Sequence, residues 1–313
     1  MAILLALTGW EPDAWLARFR ALGQGRDVRL FPETGDPAAI RYACVWKPPA
    51  GVLGTLPNLR AIFSLGAGVD HLMNDPSLPD VPIVRIVDPD LTMRMTEYVV
   101  LHVLLHHRRF KLYDAHQRER VWRDESDPAA NEVRVGIMGL GVLGQAAAAA
   151  LKPLGFQLNG WSRTQKTVPG VTTFAGEAGL GPFLAKTDIL VCLLPLTTDT
   201  RGFLSYEVFR GLAGDGALGG PALINAGRGG LQVEADILRA LDDGTLTGAS
   251  LDVFEQEPLP ANSLLWTHPK VFITPHNAAQ SDPRALTKYV LAQIERLERG
   301  LPLENVVDRK RGY

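Results

Sequence analysis

Val135-Gly-Ile-Met-Gly-Leu-Gly-Val-Leu-Gly144 begins as an apolar run and turns without a break into Gly139-x-Gly141-x-x-Gly144. Glycines at that spacing let a backbone turn sharply, let a pyrophosphate approach the chain, and let the next helix pack close to its strand. A glycine pattern alone is weak. Here it follows an apolar strand and opens a helix with alanines at all of positions 146–150, which is the context that gives it meaning. The helix N-terminus then offers N–H groups to an anion. Gly139, Gly141, Val142, Leu143 and Gly144 are therefore expected to cradle a dinucleotide.

Outward from this turn, strand patterns recur at 133–138, 156–161, 189–194, 222–226, 248–253 and 271–274, with helical segments between them. That rhythm predicts a doubly wound parallel sheet. Before it, short apolar runs at 3–7, 28–31, 43–46, 61–64 and 83–85 alternate with helical and turn-rich stretches, predicting a second, smaller α/β unit. A long helix is expected to start near Thr96 and to run into the 108–120 region. The amphipathic segment 283–299, closed by Gly300, is expected to return to the first unit. The fold class expected is α/β, two Rossmann-like doubly wound parallel-sheet domains. The boundaries expected are 1–100 plus 281–313 for a discontinuous, flavodoxin-like substrate domain and 101–280 for the dinucleotide domain.

The 313 residues suit two domains, and 46% hydrophobic with 21% charged residues is ordinary for a globular protein. A net charge of -2 gives no general attraction to nucleic acid or an anionic membrane. No apolar run reaches the length of a membrane span. The apolar start of the chain lacks a basic leader and reads as a first strand. Cys44 and Cys192 both lie in apolar runs, which suggests buried thiols and fits a cytoplasmic location.

The end of the second strand of the dinucleotide unit carries finer information. NAD sites usually place Asp or Glu about 20 residues beyond the glycines, on the ribose hydroxyls. No acidic residue occurs between Gly139 and Glu177, and the expected point reads Trp161-Ser-Arg-Thr-Gln-Lys166. Arg163 can pair bidentately with a 2′-phosphate, and Ser162 and Thr164 can donate to it. NADP(H) is expected to be preferred, with NAD(H) possible as a second dinucleotide.

Three chemistry-bearing residues follow, each just past a strand: Arg228 in Ile224-Asn-Ala-Gly-Arg-Gly-Gly230, Glu257 in Leu251-Asp-Val-Phe-Glu-Gln-Glu-Pro258, and His276 in Ile273-Thr-Pro-His-Asn-Ala-Ala279. Open α/β sheets bind ligands at the carboxyl ends of their strands. Reducing a 2-oxo acid needs a cation for the substrate oxygens, an acid for the carbonyl oxygen, and a partner that keeps the acid protonated. A non-titrating planar guanidinium suits the first role. An imidazole suits the second and a carboxylate beside it the third.

These segments, with Leu193-Leu-Pro-Leu-Thr-Thr-Asp-Thr200, resemble the D-isomer-specific 2-hydroxyacid dehydrogenase family along nearly the whole chain. Trp46-Lys-Pro-Pro49, Ser64-Leu-Gly-Ala-Gly-Val-Asp70 and Trp161-Ser-Arg-Thr164 are similar to its glyoxylate/hydroxypyruvate reductase A branch. The resemblance implies two domains around a cleft that closes on substrate, usually in a homodimer. It implies NADPH-dependent reduction of glyoxylate and hydroxypyruvate to glycolate and D-glycerate. Arg228 then binds substrate, Glu257 partners His276, and His276 is the acid/base. Leu65, Gly66, Ala67 and Gly68 would hold the substrate carboxylate through backbone N–H groups, with Trp46 bordering the pocket. Leu194, Pro195, Leu196, Thr200, Ala226 and Gly227 would line the cofactor, and Asp252 would meet the nicotinamide carboxamide.

His102, His106, His107 and His116 cluster near the long helix. Without acidic or Cys ligands in that helix they are read as structural, and no metal is expected. Two alternatives stay open at this point: a dehydrogenase for another 2-oxo acid, and a nucleotide-sensing binding protein of the same fold.

Overall fold

The computed structural model describes all of residues 1–313. The chain divides into two compact units, Met1–Leu91 with Gln280–Tyr313, and Thr92–Ala279. In chain order the first contains β1 (Ala2–Leu7), α1 (Asp13–Leu22), β2 (Asp27–Leu30), β3 (Ile40–Trp46), β4 (Ala61–Ser64), α2 (Asp70–Met73) and β5 (Ile83–Val84). All five strands are parallel, in the order β2-β1-β3-β4-β5. β1 and β3 are apolar nearly throughout because both of their faces are covered.

The second unit contains α3 (Pro89–His107, its first residues counted with the first unit), α4 (Phe110–Glu119), β6 (Arg134–Met138), α5 (Val142–Leu151), β7 (Gln157–Ser162), β8 (Thr172–Ala175), α6 (Gly176–Leu184), β9 (Ile189–Cys192), α7 (Tyr206–Arg210), β10 (Ala222–Asn225), α8 (Glu234–Asp242), β11 (Gly248–Leu251) and β12 (Val271–Ile273). Its parallel sheet runs β12-β11-β10-β9-β6-β7-β8. The order reverses between β6 and β9, so the crevice that open sheets use for ligands lies at the carboxyl ends of that pair. Arg134 fixes the opposite end. Its guanidinium and backbone N–H all donate to the buried Asp188 carboxylate, at 2.7–3.0 Å.

The last helix, α9 (Pro283–Glu298), belongs to the first unit and packs on α1. It starts cleanly because Asp282 accepts from Arg284 N and Pro283 occupies the first helical turn. Beyond it, Val307 donates to Ile83 O beside β5. No helix is long and apolar enough to cross a membrane.

Two elements differ from the sequence expectation. The long helix begins at Pro89, with Asp90 N donating to Asp88 Oδ1, and it stops at His107. Arg109 takes φ +49°, a left-handed backbone that ends one helix and starts another. β8 was not expected: a partly exposed edge strand beginning Thr-Thr gives no apolar run. Two of the three α3 histidines tie the helix to β11. His102 Nδ1 and His106 Nε2 both meet Ser250 Oγ of β11, at 2.8 and 2.9 Å. A hydroxyl has one proton, so at most one imidazole can accept from it and at least one donates to the oxygen.

Candidate active site

The glycine turn divides its work among three positions. Gly139 has φ +100°, and a Cβ there would lie 2.8 Å from Leu193 O at the end of β9. Gly144 sits in the first turn of α5, where a Cβ would lie 2.1 Å from Gly139 O. Gly141 has nothing within 4 Å of its Cβ position, and it caps α5. The turn is thus packed tight against protein on two sides and open on the third, at the helix N-terminus begun by Val142 and Leu143. That is the shape a pyrophosphate requires.

At the end of β7, Ser162 is buried and its hydroxyl donates to Thr164 O, which fixes the loop. Arg163 and Thr164 are exposed. Lys166 Nζ donates to Leu140 O inside the glycine turn, at 2.7 Å. The ribose end of the cradle is therefore built from cationic and hydroxyl side chains, with no carboxylate to repel a phosphate.

The loop after β9 closes on itself: Thr200 Oγ1 donates to Pro195 O and accepts from Thr197 N, at 2.7 and 2.8 Å. Leu194 and Ala226 are buried beside it, and Leu196 is half-buried. Gly227 N–H donates to the Asn225 side chain, which shapes the turn carrying Arg228. Arg228 is partly buried, and its Nη1 donates to Gly227 O at 2.8 Å.

The carboxyl ends of β11 and β12 bring Glu257 and His276 together. The Glu257 carboxylate straddles His276 Nδ1, with Oε1 at 2.9 Å and Oε2 at 2.8 Å. Phe254 N also donates to Glu257 Oε1. Both side chains keep roughly a quarter of their surface exposed, 28% for His276 and 23% for Glu257. With Nδ1 donating to the carboxylate, Nε2 becomes the nitrogen that presents or takes a proton. His276 has φ +51°, unusual for a non-glycine residue. Asp252, only 1% exposed, supports that turn: it accepts from Thr274 Oγ1, Asn277 N and Ala278 N at 2.7–3.1 Å.

In the first unit, Ser64 ends β4 and its buried hydroxyl lies 3.0–3.2 Å from the carbonyls of Gly66 and Gly68, curling the segment into a turn. A Cβ at Gly66 would lie 2.2 Å from the Trp46 ring, so the turn seats directly on Trp46. Trp46 stacks on Trp10 at 4.9 Å and meets His71 edge-on at 5.0 Å. One expectation needs correction. The Leu65 N–H donates to Val45 O, continuing the sheet, so it is not a carboxylate donor. Gly66, Ala67 and Gly68 lie past that last sheet bond.

Sequence reasoning did not foresee Thr274 and Tyr98 beside Asp252, nor Trp10 behind Trp46. Thr274 adjoins a motif already singled out; the other two are brought in by long-range packing with no local signal. No group of three or more His, Cys, Asp or Glu side chains is placed to hold a metal ion.

Comparison with known proteins matches this architecture along its whole length. Residues 100–278 match the family model described as the NAD binding domain of D-isomer specific 2-hydroxyacid dehydrogenase. A glyoxylate/hydroxypyruvate reductase A of Escherichia fergusonii is 43% identical over 319 residues, covering 100% of both chains. The crystal structure of an NADPH-dependent glyoxylate/hydroxypyruvate reductase from Sinorhizobium meliloti, in complex with NADP and sulfate, is 49% identical. It superposes with a TM-score of 0.96 over 100% of this chain and 99% of that one. A D-isomer specific 2-hydroxyacid dehydrogenase from Xanthobacter autotrophicus, in complex with NADPH and MES, is 41% identical. Its TM-score is 0.94, over 100% of this chain and 99% of that one.

Proposed function

We propose, from the premise that this chain belongs to the D-isomer-specific 2-hydroxyacid dehydrogenase family, that it is an NADP-dependent reductase of small 2-oxo acids. Glyoxylate and hydroxypyruvate are the substrates assigned, and glycolate and D-glycerate the products. NADP(H) is the preferred dinucleotide, and NAD(H) the weaker one. The observation that carries the reading is the Glu257 carboxylate held at 2.8 Å on His276 Nδ1.

The residues fit the dinucleotide. Gly139, Gly141 and Gly144 with the start of α5 hold its pyrophosphate, and Arg163 and Thr164 face a 2′-phosphate. Ser162, whose hydroxyl proton is given to Thr164 O, holds their loop instead of donating to the phosphate as the sequence led one to expect. Leu194, Pro195, Leu196, Thr200, Ala226 and Gly227 line its path, with Asp252 at the carboxamide. When bound, it supplies a hydride to the carbonyl carbon. Arg228 pairs with the substrate oxygens and stabilises the negative charge that grows on the carbonyl oxygen. His276 gives the proton from Nε2 to that oxygen, completing the alcohol. Glu257 stabilises the imidazolium before transfer and fixes the ring so that Nε2 faces the reacting atom. The Gly66, Ala67 and Gly68 N–H groups take the substrate carboxylate in an anion-binding turn, and Trp46 limits the size of the group beyond it.

We also assign a cytoplasmic homodimer. The buried free thiols of Cys44 and Cys192 suit a reducing compartment. The assembly rests on the family resemblance, and sedimentation tests it.

The test of the function is a steady-state panel of small 2-oxo acids with NADPH and with NADH. NADPH absorbance is expected to fall on adding glyoxylate or hydroxypyruvate, with smaller kcat/KM for bulkier acids and for NADH. A chain that binds NADPH yet turns over none of the panel is a sensor, and the enzymatic reading fails.

A further inference from the structure

His276 is held in a left-handed backbone conformation, and something must stabilise it. The segment 274–278 wraps the Asp252 carboxylate. Oδ1 accepts from Thr274 Oγ1 at 2.7 Å, from Asn277 N at 2.9 Å and from Ala278 N at 3.1 Å, and Oδ2 takes a bond from Ala278 N. The His276 N–H itself donates to Asp252 O at 2.8 Å. Thr274 is tied in turn by Tyr98 of α3, whose hydroxyl lies 3.0 Å from Thr274 Oγ1. The proton count fixes the direction of this chain. A threonine hydroxyl has one proton, and the carboxylate takes it, so Tyr98 must donate to Thr274. Tyr98 is buried at 8% exposure, and burial together with the Asp252 charge raises its pKa, which keeps the phenol a donor at working pH.

We propose that Tyr98 and Thr274 are positioning residues of this enzyme. Their hydroxyls form a one-way relay onto Asp252, and Asp252 folds the 274–278 turn that aims His276 at Glu257 and at the substrate oxygen. Neither hydroxyl touches the reacting atoms; both act through Asp252. The proposal rests on the acid/base role of His276. It adds that the geometry of that acid is set by a residue of α3, acting through Thr274.

A positioning role predicts loss in the chemical step with little change in binding. Thr274→Val keeps the shape and removes the donor to Asp252; Tyr98→Phe removes the outer donor only. With NADPH and glyoxylate, kcat is expected to fall by roughly 10- to 100-fold in Thr274→Val and by several-fold in Tyr98→Phe, the scale expected when a reacting group is misplaced by about 1 Å. KM for glyoxylate is expected to stay within about threefold, and Thr274→Ser, which restores the hydroxyl, to recover most of kcat. Wild-type kcat in both Thr274→Val and Tyr98→Phe, or Thr274→Ser no better than Thr274→Val, overturns the proposal. If Thr274→Val fails to fold, Tyr98→Phe decides alone. His276→Ala separates the two layers. If it is inactive while the relay variants are normal, only the proposal falls; if it retains turnover, the reading of the site falls with it.

Discussion

Two glycines of one motif should respond in opposite ways to the same methyl group. At Gly141 the backbone has φ -79°, comfortable for alanine, and nothing lies within 4 Å of the added Cβ. Gly141→Ala should therefore change stability by about 1 kcal/mol or less, the scale of a helix-cap change. The methyl occupies the space assigned to the pyrophosphate, so the NADPH Kd should rise tenfold or more, which is about 1.4 kcal/mol or more of binding. At Gly144 the added Cβ would lie 2.1 Å from Gly139 O and 3.3 Å from Ile137 Cγ2. The obstacle is backbone, not a flexible side-chain tip, so α5 must move off β6. Overpacking of this kind costs about 3 kcal/mol, which for a unit of this size lowers Tm by roughly 6–12 °C. Circular dichroism melts without nucleotide read the first quantity, and fluorescence titration with NADPH reads the second. Wild-type affinity in Gly141→Ala, or a wild-type melt in Gly144→Ala, refutes the division of labour drawn from the turn.

Arg163→Ala should raise KM for NADPH far more than KM for NADH, because only the former carries the phosphate; equal effects in initial-rate assays remove the argument from the β7 loop. Glu257→Gln should keep the ring orientation but lose the charge that favours imidazolium, so kcat for glyoxylate reduction at neutral pH should fall by about two orders of magnitude; an unchanged kcat contradicts the role. Acid should loosen the α3–β11 contact: burial lowers the pKa to about 4 for His102 and to about 3 for His106, where His102 and Lys111 add positive potential. Both imidazoles stay neutral in the fold but take up protons in the unfolded chain below about pH 6.5, so their contribution is complete above that pH and is lost as pH falls toward the folded values, about 2 kcal/mol each by about pH 5. Urea titrations at about pH 8 and pH 5 should show the His102→Gln/His106→Gln double variant losing less stability than wild type, and identical losses would contradict it.

What the sequence made legible follows from how local its signals are. The glycine turn and the three loops carrying Arg228, Glu257 and His276 each lie within a few residues of a strand end, so periodicity located the strand and residue type supplied the chemistry. The start of α3 leaves little mark in the sequence because its first turn, Pro89-Asp-Leu-Thr, breaks the apolar pattern, and the signal for it is Asp88, which accepts from Asp90 N. The break at Arg109 was invisible, since a left-handed arginine leaves no compositional mark. Leu65 shows the limit of reading a turn from glycines. They mark where the chain may curl, and the sheet register decides which N–H groups are already taken. Tyr98, Trp10 and Lys166 reach their partners only through tertiary packing, which single-sequence patterns do not encode.

The central claim is that an imidazole steadied by a carboxylate protonates the substrate oxygen as hydride arrives. The most direct measurement is the rate of NADPH oxidation with glyoxylate by His276→Ala, set beside its NADPH Kd from fluorescence titration. The account predicts that kcat collapses by several orders of magnitude while Kd stays near wild type. Turnover within tenfold of wild type, with the dinucleotide bound normally, contradicts it.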